Sequence, residues 1–211
     1  MTKKRRILEF DNLPSIDRHD IFIRLDRSID QRFKELAFLT ETYERAQSAL
    51  MFFFQTQAED ATWRNDARLR AGLNEFYSME DAARRDFRYA KVGITPSDIK
   101  DSRSPLVHLM YVLRHVNVHT RPVPTRIQSV TVISQLGETE HEYSYGAVMI
   151  DAVSIDDLYR CREVKDFYDT SDLQTALDWM LNEQQVFGVA EIFRAGIHIY
   201  SNELLNLLSE R

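Results

Sequence analysis

"SPLVHLMYVLRHVNVHTRPVP", residues 104–124, is the stretch on which the reading of this chain turns. Ser104 is placed to accept a backbone N–H as a helix N-cap. Pro105 suits the first helical position, where its missing N–H costs nothing. An apolar run follows, and Pro122 pushes the residue before it away from helical geometry. The stretch therefore predicts a helix that opens at Pro105 and ends near His119. Its last turns hold Arg114, His115 and His119. His115 and His119 share a face, with His108 seven residues before His115 on the same side. Arg114 stands about 140° from His119 around an ideal helix. Bringing the two together takes a distorted last turn or a second copy of the chain.

Working outward, the period is mostly helical. Ile29, Phe33, Leu36, Tyr43, Leu50 and Phe54 recur at spacings of three, four or seven. They predict one long amphipathic helix over about 28–57. A shorter helix is expected over 61–76, with Trp63, Leu69, Leu73 and Phe76 on one side. Another should open at Ser78 through the capping pattern Ser-Met-Glu-Asp. Residues 92–104 read as a polar loop. Ser171 and Gln174 have capping-box spacing before a further helix, in which Gly188 and Gly196 are bend points. Ser201 is expected to open a last short helix. Only residues 126–150 change period: "RIQSVTVIS" and "EHEYSYGAVMI" flank Gly137 and predict a β-hairpin. "DIFIRL" near the start reads as a short strand or an extended lead-in. The organisation is a lead-in over 1–27 and a single, mainly α domain over 28–211, a helical bundle with an inserted hairpin.

The chain has 211 residues, 44% of them hydrophobic, which is enough for a sizeable core. Its net charge of −6 argues against bulk capture of a nucleic-acid duplex, but not against a small site acting on one phosphate. The cluster Lys3-Lys4-Arg5-Arg6 is expected to be a solvated tail. Cys161 is the single cysteine, so neither an intramolecular disulfide nor a cysteine-based metal cluster can form. No apolar stretch follows the N-terminal charges, and runs such as "ALMFFF" are too short to span a bilayer. The expectation is a soluble, cytoplasmic protein with no membrane contact.

Four chemistries suit the residue types at 114–119. The first is purely structural, a helix end whose cations meet the last carbonyls and the helix dipole. The second is a metal site, since His115 and His119 have ligand spacing. Val116, however, stands where a helical metalloprotease has its Glu, and only His108 is near as a third ligand. The third is nucleophilic catalysis. There is no Gly-x-Ser-x-Gly elbow, which leaves Cys161 among its cationic neighbours. The fourth is phosphoryl transfer on RNA. It needs a proton acceptor for the 2′-hydroxyl, a proton donor for the leaving 5′-oxygen and a cation on the developing charge. Histidine titrates near working pH, and arginine binds two phosphate oxygens at once. The 2′-hydroxyl is itself the nucleophile, so this chemistry needs no metal or other cofactor.

Arg114-His115-Val116-Asn117-Val118-His119 resembles the Arg-x(4–6)-His motif of the HEPN superfamily, in which Asn, Asp or His typically follows the arginine. The resemblance is carried by residues 109–124 and does not extend to the hairpin. It implies an α-helical bundle that forms a homodimer and sets two motifs in a joint cleft. It also implies a metal-independent endoribonuclease acting on RNA, of the kind found in toxin–antitoxin, phage-defence and CRISPR-associated systems, with a cognate protein or antitoxin as partner. On this resemblance Arg114 holds the scissile phosphate, His119 is the acid/base residue and His115 orients the site. Arg103 and His108 have the same spacing, but Ser104 and Pro105 set that pair across a helix start. The alternative is a non-catalytic helical dimer or interaction module, which the acidic charge and aromatic-rich first helix would also serve.

Overall fold

The computed structural model describes residues 5–14, 16–17, 22–23, 32–56, 60–136 and 139–209. It is mainly helical. Six α-helices organise the described residues: α1 (Thr40–Phe54), α2 (Thr62–Tyr89), α3 (Pro105–His119), α4 (Ile155–Tyr159), α5 (Arg162–Phe167) and α6 (Thr170–Ser209). Two antiparallel strand pairs complete it, β1 (Ile16–Asp17) with β2 (Phe22–Ile23), and β3 (Thr125–Leu136) with β4 (Thr139–Ile150).

Helix α3 starts and stops where its punctuation predicts. The Ser104 hydroxyl accepts the Val107 N–H at 3.5 Å, Pro105 occupies the first turn, and His119 is the last helical residue. Leu106, Leu109, Met110 and Leu113 are fully buried, so one side of α3 lies in the core, packed on α6 and α2. The hairpin also forms as expected, in a register running from Thr125 opposite Ile150 to Leu136 opposite Thr139. Gly137 lies outside the described residues. Side chains fasten the base of the hairpin to the helices. Asp66 of α2 accepts from the Thr125 N–H and hydroxyl, both at 2.7 Å. The buried amide of Gln184 on α6 pairs with both backbone groups of Ile150, at 2.9 Å each.

The other helices depart from expectation in instructive ways. The single helix over 28–57 is two elements, a 3-10 helix at Phe33–Phe38 followed by α1. Phe33, Leu36 and Leu39 are buried at three-residue spacing, which matches the 3-10 period. Leu39 leaves helical geometry at φ −97°, ψ 82°. The start of α1 is instead capped from another helix: the buried Asp86 carboxylate accepts the Thr42 N–H and hydroxyl, both at 2.8 Å. Residues 28–31 and 57 fall outside the described residues.

The two helices expected over 61–90 are one. Ser78 does not cap; its hydroxyl turns back to the Asn74 carbonyl at 2.8 Å, four residues earlier, and the helix continues. Leu69, Leu73 and Phe76 are buried as expected, but Trp63 is 66% exposed. Helix α6 likewise opens on Asp169, whose carboxylate accepts from the Ser171 N–H and hydroxyl, in place of a Ser171–Gln174 box. A true capping box stands at Ser154 and Asp157. Ser201 opens no new helix; it bonds to the Ile197 carbonyl at 2.8 Å inside α6. Gly188 does interrupt α6, at φ 71°, ψ 174°. Gly196 stays helical, and its role is to admit Met110 and Leu106 against α6.

In the lead-in, Phe22–Ile23 of "DIFIRL" form β2, and the rest of that segment lies outside the described residues, as do Lys3 and Lys4. Arg6 is not a solvated tail residue. Its side chain is only 9% exposed and enters a polar cluster described below. No described helix is long and apolar enough to cross a membrane.

Candidate functional site

Burial falls along the outer side of α3. His108 is fully buried, Tyr111 nearly so, Arg114 and His115 half-buried, and His119 exposed. The helix brings His115 and His119 together, with ring centroids 5.7 Å apart. It remains helical through His119, with the Thr120 N–H closing on the Val116 carbonyl at 3.0 Å. The last turn is therefore not distorted, and Arg114 and His119 keep the angular separation of an ideal helix.

His115 is set by Tyr111, one turn earlier. Its Nδ1 lies 3.0 Å from the Tyr111 carbonyl, and a carbonyl only accepts, so Nδ1 carries the proton. The Nε2 of the neutral ring then bears the lone pair. Burial lowers the pKa of His115 below its usual value, with the neighbouring Arg114 and His119 acting in the same direction and the Tyr111 carbonyl and Glu163 opposing. The imidazole is thus held in its basic, neutral form. Its ring lies 4.2 Å from the Tyr111 ring and meets the Tyr77 ring edge-on at 5.7 Å.

Arg114 sits over the Tyr77 ring of α2, with its guanidinium carbon 4.2 Å from the centroid. Its buried Nε has no hydrogen-bond partner among the described residues. Among the described residues it also has no carboxylate partner, although Arg84, Arg121 and Arg126 all do. A half-buried arginine without an anion is a costly arrangement unless an anionic ligand completes it. Asn117, inside the motif, serves the fold: its carbonyl oxygen accepts the Val123 N–H at 2.8 Å and holds the chain after the helix.

Behind His115 lies a second layer that sequence reasoning missed. The Arg6 guanidinium is stacked near the rings of Tyr111, Phe167 and Tyr168, at 5.0, 5.1 and 4.8 Å. It donates to Glu163 at 2.7 Å and to the Tyr168 hydroxyl at 2.5 Å. Glu163 also accepts from the Tyr111 hydroxyl at 3.1 Å. Arg6 and Glu163 are far apart in sequence, and no local pattern links them. Tyr111 was accessible, being four residues before His115.

The rival pair dissolves. Arg103 is exposed and ion-paired to Glu9, while His108 is a core histidine. His108 Nε2 donates to the Ser102 carbonyl at 2.6 Å, and Nδ1 accepts from the Tyr168 hydroxyl at 2.7 Å. His108 is thereby occupied on both nitrogens. Cys161 is buried at the start of α5. Among the described residues, no three His, Cys, Asp or Glu side chains are grouped to hold a metal ion.

No protein-family model, no curated protein and no solved structure matches this chain.

Proposed function

We propose that Arg114, His115 and His119 form the RNA-cleaving centre of a metal-independent, HEPN-like endoribonuclease. The observation that carries the reading is Arg114: a half-buried guanidinium, fixed on Tyr77, with no anionic partner among the described residues. In this reading Arg114 takes two non-bridging oxygens of the scissile phosphate. His115 and His119 share the proton steps. One neutral imidazole accepts the 2′-hydroxyl proton as that oxygen attacks phosphorus. A protonated imidazole then gives a proton to the departing 5′-oxygen, leaving a 2′,3′-cyclic phosphate. The lowered pKa of His115 suits it to the accepting step, which leaves the donating step to His119.

The regular end of α3 supports a two-copy site. Arg114 and His119 diverge around one helix, so a homodimer that faces two helix ends brings the arginine of one copy to the histidine of the other. A toxin-like or defence role with a cognate protein partner belongs to the same reading.

The test is cleavage of single-stranded RNA in excess EDTA, with the products analysed for 2′,3′-cyclic phosphate ends. Arg114→Ala and His119→Ala should each abolish cleavage while folding as wild type does. Arg114→Lys should not rescue it, since lysine lacks the two-pronged donor geometry. Equal cleavage by wild type and both alanine variants sinks the proposal. A folded dimer without any cleavage identifies a non-catalytic module instead.

A further inference from the structure

The C-terminal end of α2 carries cations that the candidate centre does not use. Arg84 is committed to Glu80, Asp81 and Asp98. Arg88, one turn further on, and Lys91, just past the helix end, have no carboxylate partner among the described residues. Together with Arg84 they line an open cavity of about 440 Å³ whose lining contains no acidic side chain. In a chain of net charge −6, such a cavity is unusual. Ile94, 43% exposed, is the apolar side chain open to it, above the buried Phe87 and Pro96, with exposed Thr95 at the edge.

The backbone fixes where Lys91 stands. The Val92 N–H donates to the Phe87 carbonyl at 3.0 Å, and the Lys91 N–H to the Arg88 carbonyl at 3.2 Å. These are the two bonds of a Schellman cap, which requires a left-handed residue between helix and exit. That residue is Lys91, at φ 51°. Glycine adopts this conformation without penalty, whereas a lysine is strained in it. The cap itself accounts for that conformation, and it fixes Lys91 beside Arg88 at the mouth of a cavity whose lining holds no acidic side chain; these two cations, without a carboxylate partner among the described residues, point to a bound anion. Ile94 adds a flat or apolar body to that anion.

We propose that this cavity binds a nucleoside monophosphate unit. The phosphate meets Arg88, Lys91 and the Thr95 hydroxyl, and the base lies against Ile94. The unit is either a free nucleotide or one residue of an RNA strand. The strand source rests on the ribonuclease reading above. Tyr77 and Arg88 are eleven residues apart on one face of α2, about 16 Å along the helix, so such a strand would run from the cavity towards Arg114.

The experiment is calorimetric titration with adenosine monophosphate, adenosine, inorganic phosphate and a short oligoadenylate. Adenosine monophosphate should bind more tightly than adenosine or phosphate alone. Lys91→Gly and Arg88→Ala should each weaken it about tenfold or more, as expected for loss of a charge-assisted phosphate contact. Lys91→Gly also relieves the backbone strain, so its melting temperature should rise; weaker binding in that variant then cannot come from unfolding. The mononucleotide titrations are repeated in an Arg114→Ala background, where nucleotide held at the candidate centre no longer contributes, and the loss on Lys91→Gly should persist there. Oligoadenylate weakened by both Lys91→Gly and Arg114→Ala identifies the strand as the source, and weakening by Lys91→Gly alone identifies the free nucleotide. Failure of RNA cleavage leaves the mononucleotide result standing. Absence of adenosine monophosphate binding, or equal binding by wild type, Lys91→Gly and Arg88→Ala, overturns the proposal.

Discussion

The guanidinium of Arg114 rests 4.2 Å above the ring of Tyr77, so the one motif cation is positioned by a different helix from the one that carries it. The aromatic face fixes the plane of the guanidinium; its Nε is buried, so a phosphate would meet the terminal Nη donors. Tyr77 also meets His115 and Tyr111, so a single side chain of α2 holds three residues of α3. Tyr77→Leu should keep the apolar packing but lose the aromatic face, lowering cleavage about tenfold, in line with a partly desolvated cation–π contact. Tyr77→Phe should retain near-normal cleavage. Initial rates on one RNA substrate decide it, and equal rates for the leucine and phenylalanine variants would remove Tyr77 from the site.

A centre shared between two copies predicts complementation. If Arg114 of one protomer serves His119 of the other, a heterodimer of Arg114→Ala and His119→Ala contains one centre with both residues intact and one with neither. Random mixing makes half the dimers mixed, so activity should return to about a quarter of wild type from two inactive parents. Co-refolding of equal amounts, followed by the cleavage assay, measures this. No recovery, with mixed dimers shown by mass, would place both residues of each centre in one chain.

The elements legible in the sequence were those with local causes. Ser104 and Pro105 start α3, Pro122 follows its end, and two-residue alternation makes the hairpin; each acts through its own neighbours in the chain. The departures from that local pattern come from distant partners. Asp86 caps α1 from α2, so the break at Leu39 had no local marker. Ser78 looked like a cap, but burial of Leu73, Phe76 and Met79 carries α2 straight through it. Within the candidate site, Arg114, His115 and His119 were readable from spacing. Tyr77, Arg6 and Glu163 were not, because only tertiary packing brings them to α3.

Two helical glycines should respond differently to alanine. Helix propensity alone favours each change by about 1 kcal/mol. At Gly72 a new Cβ would press into the Phe53 ring, 2.6 Å from Cδ1. Phe53 is fully buried and edge-packed on Phe193 at 4.9 Å, so it cannot retreat. Overpacking of this kind costs about 1–3 kcal/mol, so Gly72→Ala should be destabilising on balance. At Gly196 the clash is with the Met110 sulfur, on a flexible side chain that can shift. Gly196→Ala should therefore be close to neutral. Urea midpoints compare them, and an equal loss in both variants would contradict the packing argument.

Stability against pH should reveal two buried groups that work in opposite directions. Burial holds the His108 pKa down at about 4, from 6.5. Below pH 6.5 the unfolded chain takes a proton that the folded chain refuses, so this contribution is whole above 6.5 and lost as pH falls towards 4. Burial raises Glu203 to about 7, from 4.5. Its Oε1 accepts from the Ser102 hydroxyl at 2.7 Å, and its Oε2 has no partner among the described residues. Here the folded chain keeps a proton that the unfolded chain releases, so the contribution is whole below 4.5 and lost as pH rises through 7. Between about 4.5 and 6.5 the two slopes cancel. Glu203→Gln keeps the neutral shape and removes one slope. Its stability relative to wild type should therefore grow as pH rises from about 4.5 to 7, by on the order of 3 kcal/mol. His108→Gln should do the reverse and gain on wild type as pH falls. Every other titrating group is common to variant and wild type, so urea unfolding across this range isolates each site. Parallel stability curves for Glu203→Gln and wild type would show that Glu203 is ionised in the folded protein.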